Sequence, residues 1–472
     1  MRDIFLVLIL LAFVISSFRV PYFMALGYLW VDFLQPQRMG YYLFNQLPVA
    51  MILGAGAFLA YILFDRERRL RLDTLQVLVL LLVGWATLAT FGWGEVDGSA
   101  KWDWVSKALL FSVFLPFVLT NRVRIEAALA VMIFSMSAIT ISGGLKTLMG
   151  GGGYGTLSLL TSASVGLYES STLAALCCAM IPVVWWFYRH NSLVPPTRLT
   201  FLLAAGIIAS FLLVIVGAEA RTGLVALALL AGLIWLGSRR KLLIACGMGL
   251  ALVAALPFVP QSFLERMSTI ESFEADQSAS TRIAVWKWTL DYVGGNPLGG
   301  GFDVYKINNV SITLQETTGS EDNRSTTVRT VTDRARAFHS SYFEVLGELG
   351  VPGFAIWISL LIMFYLSARR MSRFDRQGRK EMRKSSAEAA DEDATTVWVA
   401  SFGRAMLKFL PVYMVGALFI GVAFNAVFYD LLAVFIAVKT VAARTFETQK
   451  AVAGKPRRHA RRSSGEAAAR GV

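Results

Sequence analysis

Three basic side chains, far apart in the chain, carry the chemistry this sequence can do: Arg221, Arg282 and His339. A guanidinium is a planar, permanently charged fork that suits phosphate. An imidazole with its ordinary pKa near 6.5 can take a proton from a hydroxyl. Glu344 follows five residues after His339 and is the expected partner of the ring. Glu348 is expected to brace the next turn, because Gly347, Gly350 and Pro352 mark a disturbed helix there. Each of the three also has a plainer reading: Arg221 snorkelling to lipid, Arg282 solvated, His339 structural. All three fall on one side of a membrane in the topology below, and that favours chemistry on an anionic, membrane-borne substrate. A leaving diphosphate needs its charge neutralised, and an attacking hydroxyl needs its proton removed.

The elements that must position these groups are membrane helices. Of the 472 residues, 56% are hydrophobic and only 16% are charged, where soluble domains carry about 25% charged residues. The mean hydropathy is +0.56. Apolar runs of spanning length lie near 46–64, 74–92, 104–120, 125–142, 169–188, 200–217, 221–237, 241–258, 340–366 and 404–424. The stretch 3–34 is longer than one crossing and is broken at Arg19 and Pro21, so it reads as two short crossings or a helix with a re-entrant piece. The run 425–438 reads as a short last crossing. The fold class is all-α: a polytopic bundle of about twelve helices with a long, partly helical outer loop. No cleavage motif marks the apolar start as a removable signal.

Charge sets the orientation. Basic residues exceed acidic ones by 45 to 32. From Lys439 to the end nine basic residues face two acids, whereas 258–338 holds eight basic and ten acidic residues. Basic loops at Arg66–Arg71, Arg122 and Arg124, 189–198, 239–241 and 367–403 mark one side as cytoplasmic. The preferred count leaves both chain ends inside. The chain divides into N-terminal helices (1–258), a periplasmic loop (259–339), C-terminal helices (340–438) with a cytoplasmic linker (367–403), and a basic tail (439–472). Within the loop, 281–292 is expected to be an interfacial amphipathic helix that Ser280 or Thr281 caps, with Ile283, Trp286 and Leu290 on one face. Asn296-Pro297-Leu298-Gly299-Gly300-Gly301 then forces a turn.

Other functions fit less well. Cys177, Cys178 and Cys246 lie in apolar runs and make no disulfide framework. Three histidines leave little room for a zinc cluster, and the loop acids Asp303, Glu321 and Asp333 lack the spacing of a metal site. Neither a metal nor a cofactor is expected. The basic tail suits anionic lipid headgroups rather than nucleic acid. No inverted repeat suggests a transporter. The run Gly150-Gly151-Gly152-Gly153-Tyr154-Gly155 lacks a following Gly-Lys-Ser/Thr and reads as a flexible connection.

Ala220-Arg221-Thr222-Gly223, Ser280-Thr281-Arg282 through Trp286, the Asn296–Gly301 turn, and His339-Ser340-Ser341-Tyr342 with Glu348-Leu349-Gly350 together resemble the O-antigen ligase and polymerase superfamily. The resemblance is close over 200–365. It implies a bacterial inner-membrane glycosyltransferase whose active site faces the periplasm and whose donor is a glycan on undecaprenyl diphosphate. Arg221 and Arg282 match the arginines that handle the diphosphate, and His339 matches the histidine that activates the acceptor hydroxyl on lipid A–core. Ala220 stands where a serine often precedes the arginine, and Ser340 where an asparagine often follows the histidine. The ligase reading comes first; polymerisation of lipid-linked repeats and O-glycosylation of protein are the alternatives.

Overall fold

The computed structural model describes residues 2–40, 42–64, 71–149, 169–255, 277–318, 325–374 and 389–453. The arginines at 66, 68 and 69, the glycine run 150–155, the first part of the outer loop, Glu321, residues 375–388 of the linker and the end of the tail lie outside these residues. The N-terminal half holds α1 (Arg2–Ser17), α2 (Phe23–Leu34), α3 (Val49–Phe64), α4 (Thr74–Gly92), α5 (Ser99–Val118), α6 (Arg122–Leu148) and α7 (Ser170–His190). It is followed by α8 (Arg198–Gly217), α9 (Arg221–Gly237), α10 (Lys241–Ala255) and α11 (Gln277–Gly295). Strands β1 (Asn309–Thr318) and β2 (Ser325–Arg334) come next, then α12 (Ser341–Met371), α13 (Ala389–Ala417) and α14 (Ala426–Ala453).

Among the described residues, six helices are long and apolar enough to cross a membrane: α4, α6, α7, α8, α12 and the apolar part of α14. Shorter apolar helices, including α2, α3 and α9, stand beside them. The six cover only part of the expected twelve. One ion pair between helices and the bonds around one buried carboxylate fix which ends lie together. Lys439 reaches Asp73 at 2.5 Å, and Arg122 pairs with Glu126 at 2.7 Å. Glu126 is fully buried and also accepts from Trp398 Nε1 and from Ser192. These contacts gather the basic helix ends at one end of the bundle, here the far end. The starts of α5, α7, α9 and α12 lie at the other, the site end.

The structure departs from the sequence expectations in three places. The run at 425–438 is the start of a 28-residue helix. Its residues from Val427 to Val438 are all buried, which makes α14 the centre of the bundle rather than a marginal crossing. A helix that is apolar all round is the one a bundle buries. The break at Arg19 and Pro21 does separate two helices, α1 and α2. Asp3 accepts from the Tyr42 amide, just before α3 begins, so α1 starts at the site end while α14 finishes at the far end. The preferred arrangement with both chain ends on one side is thereby corrected. Finally, the loop holds an antiparallel hairpin as well as a helix, with Asn309 opposite Arg334 and Thr318 opposite Ser325. Its β-branched Thr and Val residues favour strands, so this region is not all-α.

Candidate active site

The turn before α9 brings Arg221 to the site end. Glu219 there has φ 48° and is buried, and Arg221 is the first residue of the helix. Gly223, two residues on, lets α9 close on α7: a Cβ at this position would lie 2.9 Å from Ala174 Cβ. The Cys178 thiol donates to the Gly223 carbonyl across the same contact. Arg221 therefore sits beside the first turns of α7, whose N-cap is Glu169.

Arg282 lies in the second turn of α11, not at its start. The helix begins at Gln277, four residues before the expected boundary, so neither Ser280 nor Thr281 caps it and its free amides are not beside Arg282. The same helix positions the histidine. Trp286 Nε1 donates to the Phe338 carbonyl at 2.9 Å, and the Trp286 ring stacks on Phe343 at 4.9 Å and 6°. From the other side Asn308 clamps Arg336, accepting from its amide at 2.9 Å and donating to its carbonyl at 2.7 Å. Between these two clamps His339 adopts φ 47°. A non-glycine residue held in the left-handed region costs about 1–3 kcal/mol and persists only where its surroundings over-determine it.

Burial first, and then the charges around the ring, shift its proton affinity. The protein packed against it, and then the Arg282 guanidinium, hold the imidazole below its ordinary value; Glu169 opposes them and Arg336 adds to them. One side of the residue stays open to solvent. His339, Arg282, Glu169 and Arg336 thus form one electrostatic group whose base is neutral near pH 7. Arg221 shares the end of the bundle with this group.

Glu344 belongs to a different cluster. Its partner is Lys101 of α5, at 2.6 Å, not His339. Lys101 also holds Glu348, at 2.8 Å and 2.9 Å to its two oxygens. The Asp303 amide donates to Glu348 at 3.0 Å, and the ammonium lies 5.4 Å from the centroids of both Phe302 and Phe424. Glu348 is fully buried and does brace its turn. Glu344 Oε2 and the Ser340 hydroxyl, four residues apart and so on one helix face, have no hydrogen-bond partner among the described residues.

The glycine turn at 296–301 has a definite task. At Gly350, with φ 64° and ψ −168°, α12 breaks. The amides of Gly300 and Gly301 take up the Gly347 and Glu348 carbonyls at 3.1 and 2.9 Å, and Val351 donates to Pro297 at 2.9 Å. Trp85 Nε1 takes the Leu349 carbonyl at 2.7 Å. The turn and the Glu-Leu-Gly segment are thus two halves of one splice. Sequence reasoning missed Lys101, Glu169 and Arg336. Lys101 left a signal, an ionisable residue beside an apolar run, which by default marks function. Glu169 and Arg336 left none.

Residues 206–358 match the family model described as O-antigen ligase, which takes in Arg221, Arg282, His339 and Glu344. Residues 1–192 match a family of unknown function (DUF5935). No curated protein matches the chain. With the six long apolar helices, the O-antigen ligase match supports a multi-pass membrane enzyme of glycosyl transfer.

Proposed function

We propose that this protein moves a glycan from undecaprenyl diphosphate to a hydroxyl of lipid A–core on the periplasmic face of the bacterial inner membrane. The observation that carries the reading is His339 held in a strained turn beside the Arg282 guanidinium, with burial and that charge favouring the neutral form of its ring. His339 takes the acceptor hydroxyl proton. The acceptor oxygen forms a bond to the anomeric carbon as the bond from that carbon to the phosphate oxygen breaks, inverting the centre. The electron pair stays on the departing diphosphate, whose charge Arg282 and Arg221 balance, and the imidazolium then gives its proton to solvent. The donor carries its own activated linkage, so no nucleotide is consumed. The basic far end supports the periplasmic orientation of the site end.

The test supplies purified protein in nanodiscs with a lipid-linked glycan and, in turn, lipid A–core, a second lipid-linked glycan, and a protein acceptor. Glycosylated lipid A–core in the presence of chelator and without nucleotide is the expected product. Product from only the second or third acceptor would move the assignment to polymerase or protein glycosyltransferase. A strict need for one divalent ion would show that loop acids hold a metal. His339→Ala should lower transfer by about 10²–10⁴-fold, the usual worth of a positioned base, with donor binding intact. Loss of donor binding with turnover preserved at saturating donor would instead make the histidine a diphosphate ligand.

A further inference from the structure

We propose that Lys101, from the N-terminal half of the chain, is a positioning residue for the transfer reaction: it fixes the short first segment of α12 and thereby the place of His339. This rests on the reading of His339 as the base. The splice at Gly350 cuts residues 341–349 off from the rest of α12, because the Gly347, Glu348 and Leu349 carbonyls leave the helix for Gly300, Gly301 and Trp85. Helix continuity therefore does not hold this piece in line.

Besides those splice bonds, three attachments hold it. Trp286 stacks on Phe343 near its start. The Ser341 hydroxyl donates to the Ile420 carbonyl and accepts from the Val422 amide, both at 2.8 Å. Along its length, Lys101 grips Glu344 and Glu348, one helical turn apart. Lys101 is itself wedged between Phe302 and Phe424. Of these three the Lys101 clamp reaches the end next to the break, where it joins the Gly300, Gly301 and Trp85 bonds and ties them back along the piece to Glu344. Glu348 lies nine residues from His339, about 13 Å along a helix at 1.5 Å per residue. A tilt of about 5° over that lever moves the imidazole by about 1 Å, and a misplacement of that size can cost about 10²-fold in rate. The charges that bear on the ring are Arg282, Glu169 and Arg336, with Lys101 not among them. Its action is therefore on geometry.

The experiment uses the full chain in nanodiscs with the Lys101→Met variant and the Lys101→Met/Glu348→Gln pair, which removes one buried carboxylate charge together with the ammonium. Turnover is measured per folded molecule, with donor KM, the pH profile, and hydrogen exchange of the 339–349 amides. Expected are a 10- to 100-fold fall in kcat for both variants, a donor KM within about 3-fold, an unmoved acidic limb, and faster exchange over 339–349. Lys101→Arg, which keeps the charge, should recover part of the turnover. Wild-type kcat in the paired variant would mean that Lys101 only neutralises buried charge, and loss of folded protein in place of turnover would mean it serves stability alone; either result overturns the proposal. If the wild-type protein transfers no glycan, the functional reading fails, while the exchange arm still reports whether Lys101 holds the segment.

Discussion

Gly350→Ala should uncouple the glycine turn from α12. With φ 64° and ψ −168°, Gly350 lies in a region open essentially to glycine, and a side chain held there costs about 1–3 kcal/mol. Its Cβ would also stand 2.3 Å from the Leu298 carbonyl carbon and 2.4 Å from Gly299 N and the Pro297 oxygen. These are backbone atoms, so relief requires the 297–301 segment to move. That motion gives up the Gly300–Gly347, Gly301–Glu348 and Val351–Pro297 hydrogen bonds, at about 1 kcal/mol each. The sum is roughly 4–6 kcal/mol, a large share of a typical folding stability of about 5–15 kcal/mol. Gly84→Ala is the control. Gly84 lies inside α4 with nothing within 4 Å of an added Cβ, so helix propensity favours alanine there by up to about 1 kcal/mol. The assay is the temperature at which each variant loses its monodisperse peak in detergent. Gly350→Ala should fall by roughly 10 °C or more at about 2–4 °C per kcal/mol, and Gly84→Ala should not fall. A Gly350→Ala protein within about 2 °C of wild type would refute the splice.

Because burial and Arg282 hold His339 below its ordinary 6.5, the basic form persists at pH 6.5, and transfer should fall only on further acidification. Glu169→Gln should move that acidic limb to lower pH and Arg336→Gln to higher pH; an unmoved limb in both would remove His339 as the titrating group. Arg282→Ala should raise donor KM and the acidic limb together, whereas Arg221→Ala should weaken donor handling with the limb unmoved, and lysine should rescue either poorly because it lacks the paired fork. Full activity in Arg221→Ala would return that residue to lipid snorkelling. For orientation, with Cys246 replaced by serine, cysteine at Lys306 should react with an impermeant thiol reagent from outside intact inner-membrane spheroplasts and cysteine at Arg373 should not. The reverse pattern would invert the bundle.

Most spanning helices were legible because hydropathy and length alone specify them in lipid, as the near agreement of 74–92 with α4 and 200–217 with α8 illustrates. The failures have physical causes. Lys439 cuts short the apolar run of α14, yet its charge is satisfied by Asp73 from a helix 366 residues away, which no local window contains. The hairpin depends on pairing between strands separated by residues outside the structure's description, and its polar Thr-rich strands give no hydropathy signal. The extra turns of α11 begin in Gln277-Ser278-Ala279-Ser280, a segment without strong propensity, so Ser280 looked like a cap when it is an interior residue.

The site divides along the same line. His339, Arg221 and Arg282 can be proposed from sequence because their chemistry is intrinsic to the side chain: a permanent fork, or a base that titrates near neutrality. The partner of Glu344 could not be read this way, because sequence distance ranks His339 above Lys101, whereas packing puts Lys101 2.6 Å away from a helix 243 residues earlier. That contact joins the segment matched by the O-antigen ligase family to the segment matched by a family of unknown function. A lysine from 1–192 neutralises carboxylates in 206–358, and the turn at 296–301 carries Phe302 and Asp303 against the same pair. A kinked helix that must leave its carbonyls at Gly347–Leu349 unpaired needs outside donors, and a buried Glu348 needs an outside cation. Both are supplied by elements distant in sequence. The first segment therefore cannot serve only as a membrane frame: without α5, the ligase-like segment would hold its base on a helix end with a buried, uncompensated carboxylate behind it.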